Sequence, residues 1–238
     1  MLTSVSVVVP TLNEEQVLPL LLGALARQTR PPGELIVADG GSVDGTRKLA
    51  AAAGARVVAG GTPAVGRNRG AAAAASPLVV FLDADVVPPP RFLEEAVGEF
   101  EARRLDVATC LAVPLSRRWV DRALHGATNA YYLATARFAP HGSGFCLLAR
   151  RSLHETIRGF AEHLTSGEDH DYARRGAAHG RYAVLRRVAI PVSVRRLDQQ
   201  GRLALVGAYL AAEFRREVGQ PGARLLRRHL GRRPARAG

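Results

Sequence analysis

Short apolar runs alternate with amphipathic or alanine-rich stretches along the first third of the chain. VSVVVP (5–10) is a β-branched run closed by proline and predicts a buried strand. NEEQVLPLLLGALARQ (13–28) predicts a helix, with Asn13 as its cap and two acids in its first turn. ELIVAD (34–39) predicts a second strand, GGSVDGT a glycine-rich turn, and DGTRKLAAAAG a second helix. ARVVAG (55–60) reads as a third strand, AVGRNRGAAAAA (64–75) as a helix, and PLVVFL (77–82) as a fourth strand. Strand and helix alternating at this spacing predict a doubly wound, mainly parallel α/β sheet with flanking helices.

In such sheets ligands bind outside the carboxyl ends of the strands. Pro10, Thr11, Asn13 and Glu14 follow the first strand, Asp39 ends the second, and Asp83 and Asp85 follow the fourth. A structural sheet needs turn residues there, not repeated carboxylates that repel one another. Convergent acids call for a cation, a ligand that donates hydrogen bonds, or both. Two carboxylates at i and i+2 can share a divalent ion, Mn²⁺ or Mg²⁺, with the phosphates of a ligand. Taken alone, the DAD triplet reads better as a turn in which aspartate caps the next helix; the acids at the neighbouring strand ends carry the metal reading.

Composition narrows the class. The chain has 238 residues, 47% of them hydrophobic, enough for one sizeable core with extensions. Cys110 and Cys146 lack metal-ligand spacing and read as small buried residues in a reducing compartment. Net charge is +12, of which +8 falls in residues 195–238, where eleven arginines face three acids. Such a tail suits an anionic partner, or reflects a global arginine preference, since Lys48 is the only lysine. The opening residues lack the basic start of a signal peptide, and no apolar run reaches the roughly 18–20 residues of a membrane span. The expectation is a cytoplasmic protein, soluble or peripheral on the inner face of the membrane.

Six segments in order then carry a resemblance: VSVVVPTLNEE (5–15), ELIVADGGSVDGT (34–46), GRNRGAAAA (66–74), PLVVFLDADV (77–86), GSGFCLLARRS (142–152) and GEDHDYARRGAAHG (167–180). Together they resemble a family 2 glycosyltransferase of the inverting, GT-A type. The resemblance implies a nucleotide-diphosphate sugar as donor, of UDP or GDP type, and a divalent metal. It implies that Asp39 accepts hydrogen bonds from the base or ribose, and that Pro10, Thr11, Asn13 and Glu14 line the same pocket. Arg67 would approach the base or diphosphate. Asp83 and Asp85 would form the metal motif, with Asp85 as direct ligand. Asp169 would be the catalytic base, and Gly142, Gly144 and Glu168 would border donor and acceptor. The familiar loop has two adjacent glycines, whereas Ser143 separates them here. Uracil and guanine both offer a ring N–H to Asp39, so the base stays open.

The remaining chain divides the expectation into a GT-A domain over 1–195 and a basic amphipathic helical extension over 196–238. Residues 115–140 predict a helix bearing Trp119, Tyr131, Tyr132 and Phe138, either interfacial, acceptor-facing or simply core-packed. Residues 201–219 predict a second amphipathic helix, suited to an anionic membrane and a lipid-linked acceptor, or to dimerisation. Arg195 and Arg196 are a further phosphate-clamp candidate. His141 and His170 read as polar lining. Three other functions compete. A sugar-phosphate nucleotidyltransferase would carry a glycine-rich basic loop after the first strand, where this chain has the acidic PTLNEE. A nucleic-acid-binding protein would explain the tail but not the acids, and no such module is visible. A binding scaffold without turnover remains compatible with every motif.

Overall fold

The computed structural model describes residues 3–202. Its element order is β1 Val5–Thr11, α1 Leu18–Ala26, β2 Glu34–Asp39, α2 Thr46–Ala52, β3 Arg56–Ala59, α3 Pro63–Ala73 and β4 Leu78–Leu82. There follow α4 Phe92–Ala102, β5 Val107–Pro114, α5 Trp119–Thr135, β6 Cys146–Arg150, α6 Arg151–Thr156, α7 Glu168–His179, β7 Tyr182–Val192 and α8 Arg195–Gln200. One unit runs through Ser193 and a second begins at Val194, whose described part is α8 with Gly201 and Arg202. The amphipathic segment 201–219 and the basic tail lie almost wholly outside the described residues.

Seven strands form one sheet in the order β3-β2-β1-β4-β6-β5-β7. β3, β2, β1 and β4 are parallel, β6 runs antiparallel to both β4 and β5, and β7 pairs parallel with β5. The mainly parallel, doubly wound sheet expected from the strand–helix alternation is present, with one reversed strand that the alternation did not specify. Chain direction across the sheet reverses between β1 and β4, so their carboxyl ends flank a crevice that neighbouring crossovers leave uncovered.

Strands buried on both faces explain the β-branched runs. Val5, Val7, Val9, Leu78, Val80 and Leu82 face one core with α1 and α4, through Leu21, Leu25, Leu93 and Phe100. Val8, Ile36, Val79 and Phe81 face a second core with α3, α6 and α7, through Ala71, Leu153 and Tyr172. The alanine-rich α3 lies close on the sheet, and a Cβ at Gly70 would stand 2.3 Å from Val8 Cγ1. Its first turn is capped by Thr62, whose hydroxyl accepts from Val65 N at 3.4 Å. Cys110 and Cys146 are free and buried, neighbours across β5 and β6, and burial pushes the Cys110 thiol up.

Two expected helices start elsewhere. α1 begins at Leu18, not at 13, because Pro19 belongs in a first helical turn and not in a helix interior. Asn13 does not cap it: at φ 55° its backbone turns away, and its Oδ1 accepts from Val43 N at 2.9 Å. α5 is shorter than 115–140, and Asp121 is its one fully buried residue. Trp119 is 79% exposed and Phe138 83%, which removes the core-packed reading. Among the described residues, no helix is long and apolar enough to cross a membrane.

A buried histidine packs against the second core. His154 packs beside Phe81 and Phe160, and its Nδ1 lies 3.0 Å from the Tyr172 hydroxyl. Burial, then the charge of Arg175, lowers its pKa from 6.5 to about 4. The folded state therefore binds this proton less readily than the unfolded chain. The resulting stability is intact above pH 6.5 and is lost as pH falls through about 4. Melting temperature measured from pH 8 to pH 4 should decline across that window by the equivalent of roughly 3 kcal/mol. His154→Gln, which keeps a partner for the Tyr172 hydroxyl, should flatten the decline.

Candidate active site

The site is built from four loops at the carboxyl edge and from the start of α7. The loop after β1 docks on the loop after β2. Asn13 N donates to Ser42 Oγ at 2.8 Å, Glu14 N to Thr46 Oγ1 at 2.8 Å, and Glu15 Oε2 accepts from Gly45 N at 2.6 Å. Asp39 sits between them, 6% exposed. Its Oδ1 accepts from Gly41 N at 3.1 Å and Ser42 N at 2.9 Å. Its Oδ2 accepts from Ser42 Oγ at 2.6 Å and Thr11 Oγ1 at 3.2 Å. Burial raises its pKa, but the Ser42, Gly41 and Thr11 donors outweigh that and hold it below the usual carboxylate range. Four donors match the capacity of a carboxylate, so a ligand N–H must replace one of them. Ser42, the residue that binds both oxygens, escapes pattern reading because SVDG looks like generic turn chemistry. Pro10 is partly buried against α3, where a Cβ at Gly66 would stand 3.1 Å from its Cβ.

Across the crevice, Arg67 of α3 is buried at 2% exposure. Its Nη2 donates to Asp83 Oδ1 and its Nη1 to Glu168 Oε1, each at 2.8 Å, and Nη2 also reaches Gly144 O at 3.4 Å. Its guanidinium lies 5.4 Å from the centre of the Phe160 ring. Two carboxylates engage the fork of Arg67, the residue that the resemblance sets near a base or diphosphate. Those carboxylates and Asp169 raise its pKa further despite burial.

Asp169 enters from the first turn of α7, whose preceding Gly167 has φ 77°. Its Oδ2 accepts from Gly144 N at 2.8 Å, and its Oδ1 accepts from His170 N at 2.8 Å and lies 3.0 Å from His170 Nδ1. Burial pushes its pKa up, yet His170 and Arg67 together bring it to about 2. The two loop glycines serve the protein's own contacts. A Cβ at Gly142 would lie 2.0 Å from Asp169 O. One at Gly144 would lie 2.9 Å from Arg67 Nη2, 3.3 Å from Asp83 Oδ2 and 3.7 Å from Asp169 Oδ2. Arg67, Asp83 and Asp169 thus crowd round Gly144, where a side chain would not fit. Behind Asp169, Tyr132 stacks on His141 at 5.0 Å and His141 meets His170 edge-on at 5.3 Å. His141 and His170 are therefore part of an aromatic wall that joins α5 to α7.

Asp85 lies on the turn after β4, where its carbonyl accepts from Ser193 N at 3.1 Å. Among the described residues, no three acidic, histidine or cysteine side chains form a metal cluster. The fit to a divalent ion rests on two groups: Asp83 Oδ2, the oxygen not taken by Arg67, and the Asp85 carboxylate. Mg²⁺ and Mn²⁺ accept such a short protein set when phosphate and water complete the shell.

Comparison with known proteins bears on the family and the fold. Validoxylamine A glucosyltransferase of Streptomyces hygroscopicus subsp. limoneus is 37% identical over 103 residues, 39% of this chain and 23% of that protein. Matches to the curated relatives cover between 23% and 45% of their lengths. S. aureus TarS 1–349 in complex with UDP-GlcNAc superposes with a TM-score of 0.68 at 24% identity, covering 81% of this chain and 59% of that one. The mannosyltransferase PcManGT from Pyrobaculum calidifontis, in complex with GDP-Man and Mn²⁺, gives 0.68 at 22% identity, covering 84% and 59%. Both structures share the GT-A fold with this chain. The family model described as Glycosyl transferase family 2 matches residues 6–158, and the chain belongs to that family.

Proposed function

We propose that the protein is an inverting glycosyltransferase that moves a sugar from a nucleoside diphosphate to a hydroxyl-bearing acceptor, with a divalent metal at the diphosphate. The observation that carries this reading is the convergence of two carboxylates on Gly144, with Asp83 Oδ2 3.3 Å and Asp169 Oδ2 3.7 Å from where a Cβ would stand there. Two acids with separate neighbours suit separate jobs. The family membership, and neighbours whose complexes hold UDP-GlcNAc or GDP-Man with Mn²⁺, support a nucleotide-sugar donor.

Thr11, Asn13, Glu14 and Asp39 would hold the nucleoside, with a base N–H taking the place of a Ser42 or Thr11 contact on Asp39. Asp83 and Asp85 would hold the metal, which when bound supplies Lewis-acid charge to the leaving diphosphate. Asp169 would accept the proton of the acceptor hydroxyl as that oxygen attacks the anomeric carbon from the side opposite the diphosphate. A pKa of about 2 makes Asp169 a weak base before ligands enter. A diphosphate beside Arg67 offsets the field of that guanidinium and moves the pKa upward. A hydroxyl acceptor fits better than a phosphate nucleophile, because Asp83, Glu168 and Asp169 repel an anion.

Three measurements test the proposal. Thermal-shift titration with UDP and with GDP, each with Mn²⁺ or EDTA, should show a metal-dependent rise for one nucleotide. Asp85→Ala should lose the Mn²⁺-dependent part of that rise; unchanged metal dependence would remove Asp85 from the metal role. Asp169→Asn should keep donor binding and lower kcat about 10²- to 10⁴-fold. Retained turnover in that variant would remove Asp169 as base.

A further inference from the structure

β7 is the outermost strand of the sheet, and beside it lies a cleft of about 840 Å³. Its walls come from the ends of α4 and α5, the later half of α7, and β7. Four arginines line it: Arg103, Arg137, Arg186 and Arg187. Glu99 is the one carboxylate in the lining, and its charge is already used. It accepts from Arg186 N and Arg187 N at 3.0 and 2.8 Å, and from Arg103 Nη1 at 2.6 Å. Arg137, Arg186 and Arg187 remain, all exposed, and among the described residues none of their guanidinium groups has an ion-pair partner. Leu133 and Ala183 supply apolar wall between them.

Like charges brought together without a counter-charge repel, and an anion with several acceptor oxygens relieves that repulsion through charge-assisted hydrogen bonds. The volume falls within the roughly 300–1,000 Å³ of small-ligand sites. The cleft is separate from the donor crevice. Ala177 in its wall lies eight residues beyond Asp169 on α7, about 12 Å along the helix. Tyr182, also in the wall, starts β7 at the opposite end of the parallel strands from Asp39 and Asp83. We propose that this cleft is a second ligand site, which takes a phosphate-bearing molecule through Arg137, Arg186 and Arg187. The site also adjoins the glycine loop, since the Tyr182 hydroxyl donates to His141 O at 2.6 Å.

The phosphate can belong to a soluble ester or to a lipid headgroup. Isothermal titration of the full chain with inorganic phosphate at low ionic strength reads the shared chemistry. The double variant Arg186→Ala with Arg187→Ala keeps both N–H groups that Glu99 accepts, and should weaken phosphate binding at least tenfold. Arg137→Ala, on a different element, should weaken it several-fold and stands in if the double variant does not fold. Asp85→Ala, in the donor crevice, should leave it unchanged. Wild-type affinity in the arginine variants, or no phosphate binding by the wild type, overturns the proposal. Sedimentation with phosphatidylglycerol vesicles, lost in the arginine variants, assigns the phosphate to lipid. Phosphate binding without arginine-dependent sedimentation assigns it to a soluble ester.

Discussion

The arrangement of the site depends on Arg67. Three carboxylates, Asp83, Glu168 and Asp169, converge on a strand edge where their mutual repulsion would otherwise push β4 and α7 apart. One guanidinium, 2% exposed, bonds two of them and lowers the pKa of the third. Breaking a buried pair by removal of one partner costs about 3–5 kcal/mol in general, so the clamp is structural before it is chemical. It is also the reason α3 must lie close to the sheet. Without the small residues Gly66 and Gly70 on that face, the helix could not approach β1 and Pro10 as it does.

The carboxylates are held ready rather than left waiting for a ligand. Asp39 has four donors from its own loops, and Asp169 has a backbone N–H on one oxygen and His170 on the other. Such pinning fixes rotamers that would otherwise cost entropy on binding. It also sets a threshold. A group that displaces Ser42 from Asp39 must offer an equivalent hydrogen bond, because an unmatched exchange leaves a buried carboxylate oxygen short of a donor. Discrimination between ligands at Asp39 would then come from the loss of the protein's own bonds as much as from the gain of new ones.

The near half of the sheet is legible in the sequence because β1, β2 and β4 are buried on both faces, and continuous β-branched runs signal that directly. The carboxylates at their ends are legible for the same reason, since charge after such a run has few structural uses. Asn13 misleads because acids and an Asn before an apolar run imitate a helix start, whereas Pro19 marks the true first turn. The reversal of β6 leaves no trace in its pattern; CLLAR is as apolar as a parallel strand. Arg67 could be named as a site residue, but not as a clamp, because its partners lie 16 and 101 residues away. The Asp169–His170 pair is adjacent in sequence, yet nothing local says that the imidazole turns back on the carboxylate.

The reversed strand has one more effect. In β1, β2 and β4 the site residues end the strand or follow it, so each loop is anchored at its beginning. β6 pairs Cys146 with Leu82, which puts its amino end at the same edge. The loop bearing Gly142 and Gly144 therefore arrives at the crevice before its strand begins, and the sheet holds it only at its end. Length and sequence upstream of Gly142, back through α5, can change without shifting the register of any strand that carries an acid. The two sides of the crevice are thus free to diverge independently: one is fixed by the frame of the parallel strands, while the other is rebuilt by whatever chain leads into the reversed one.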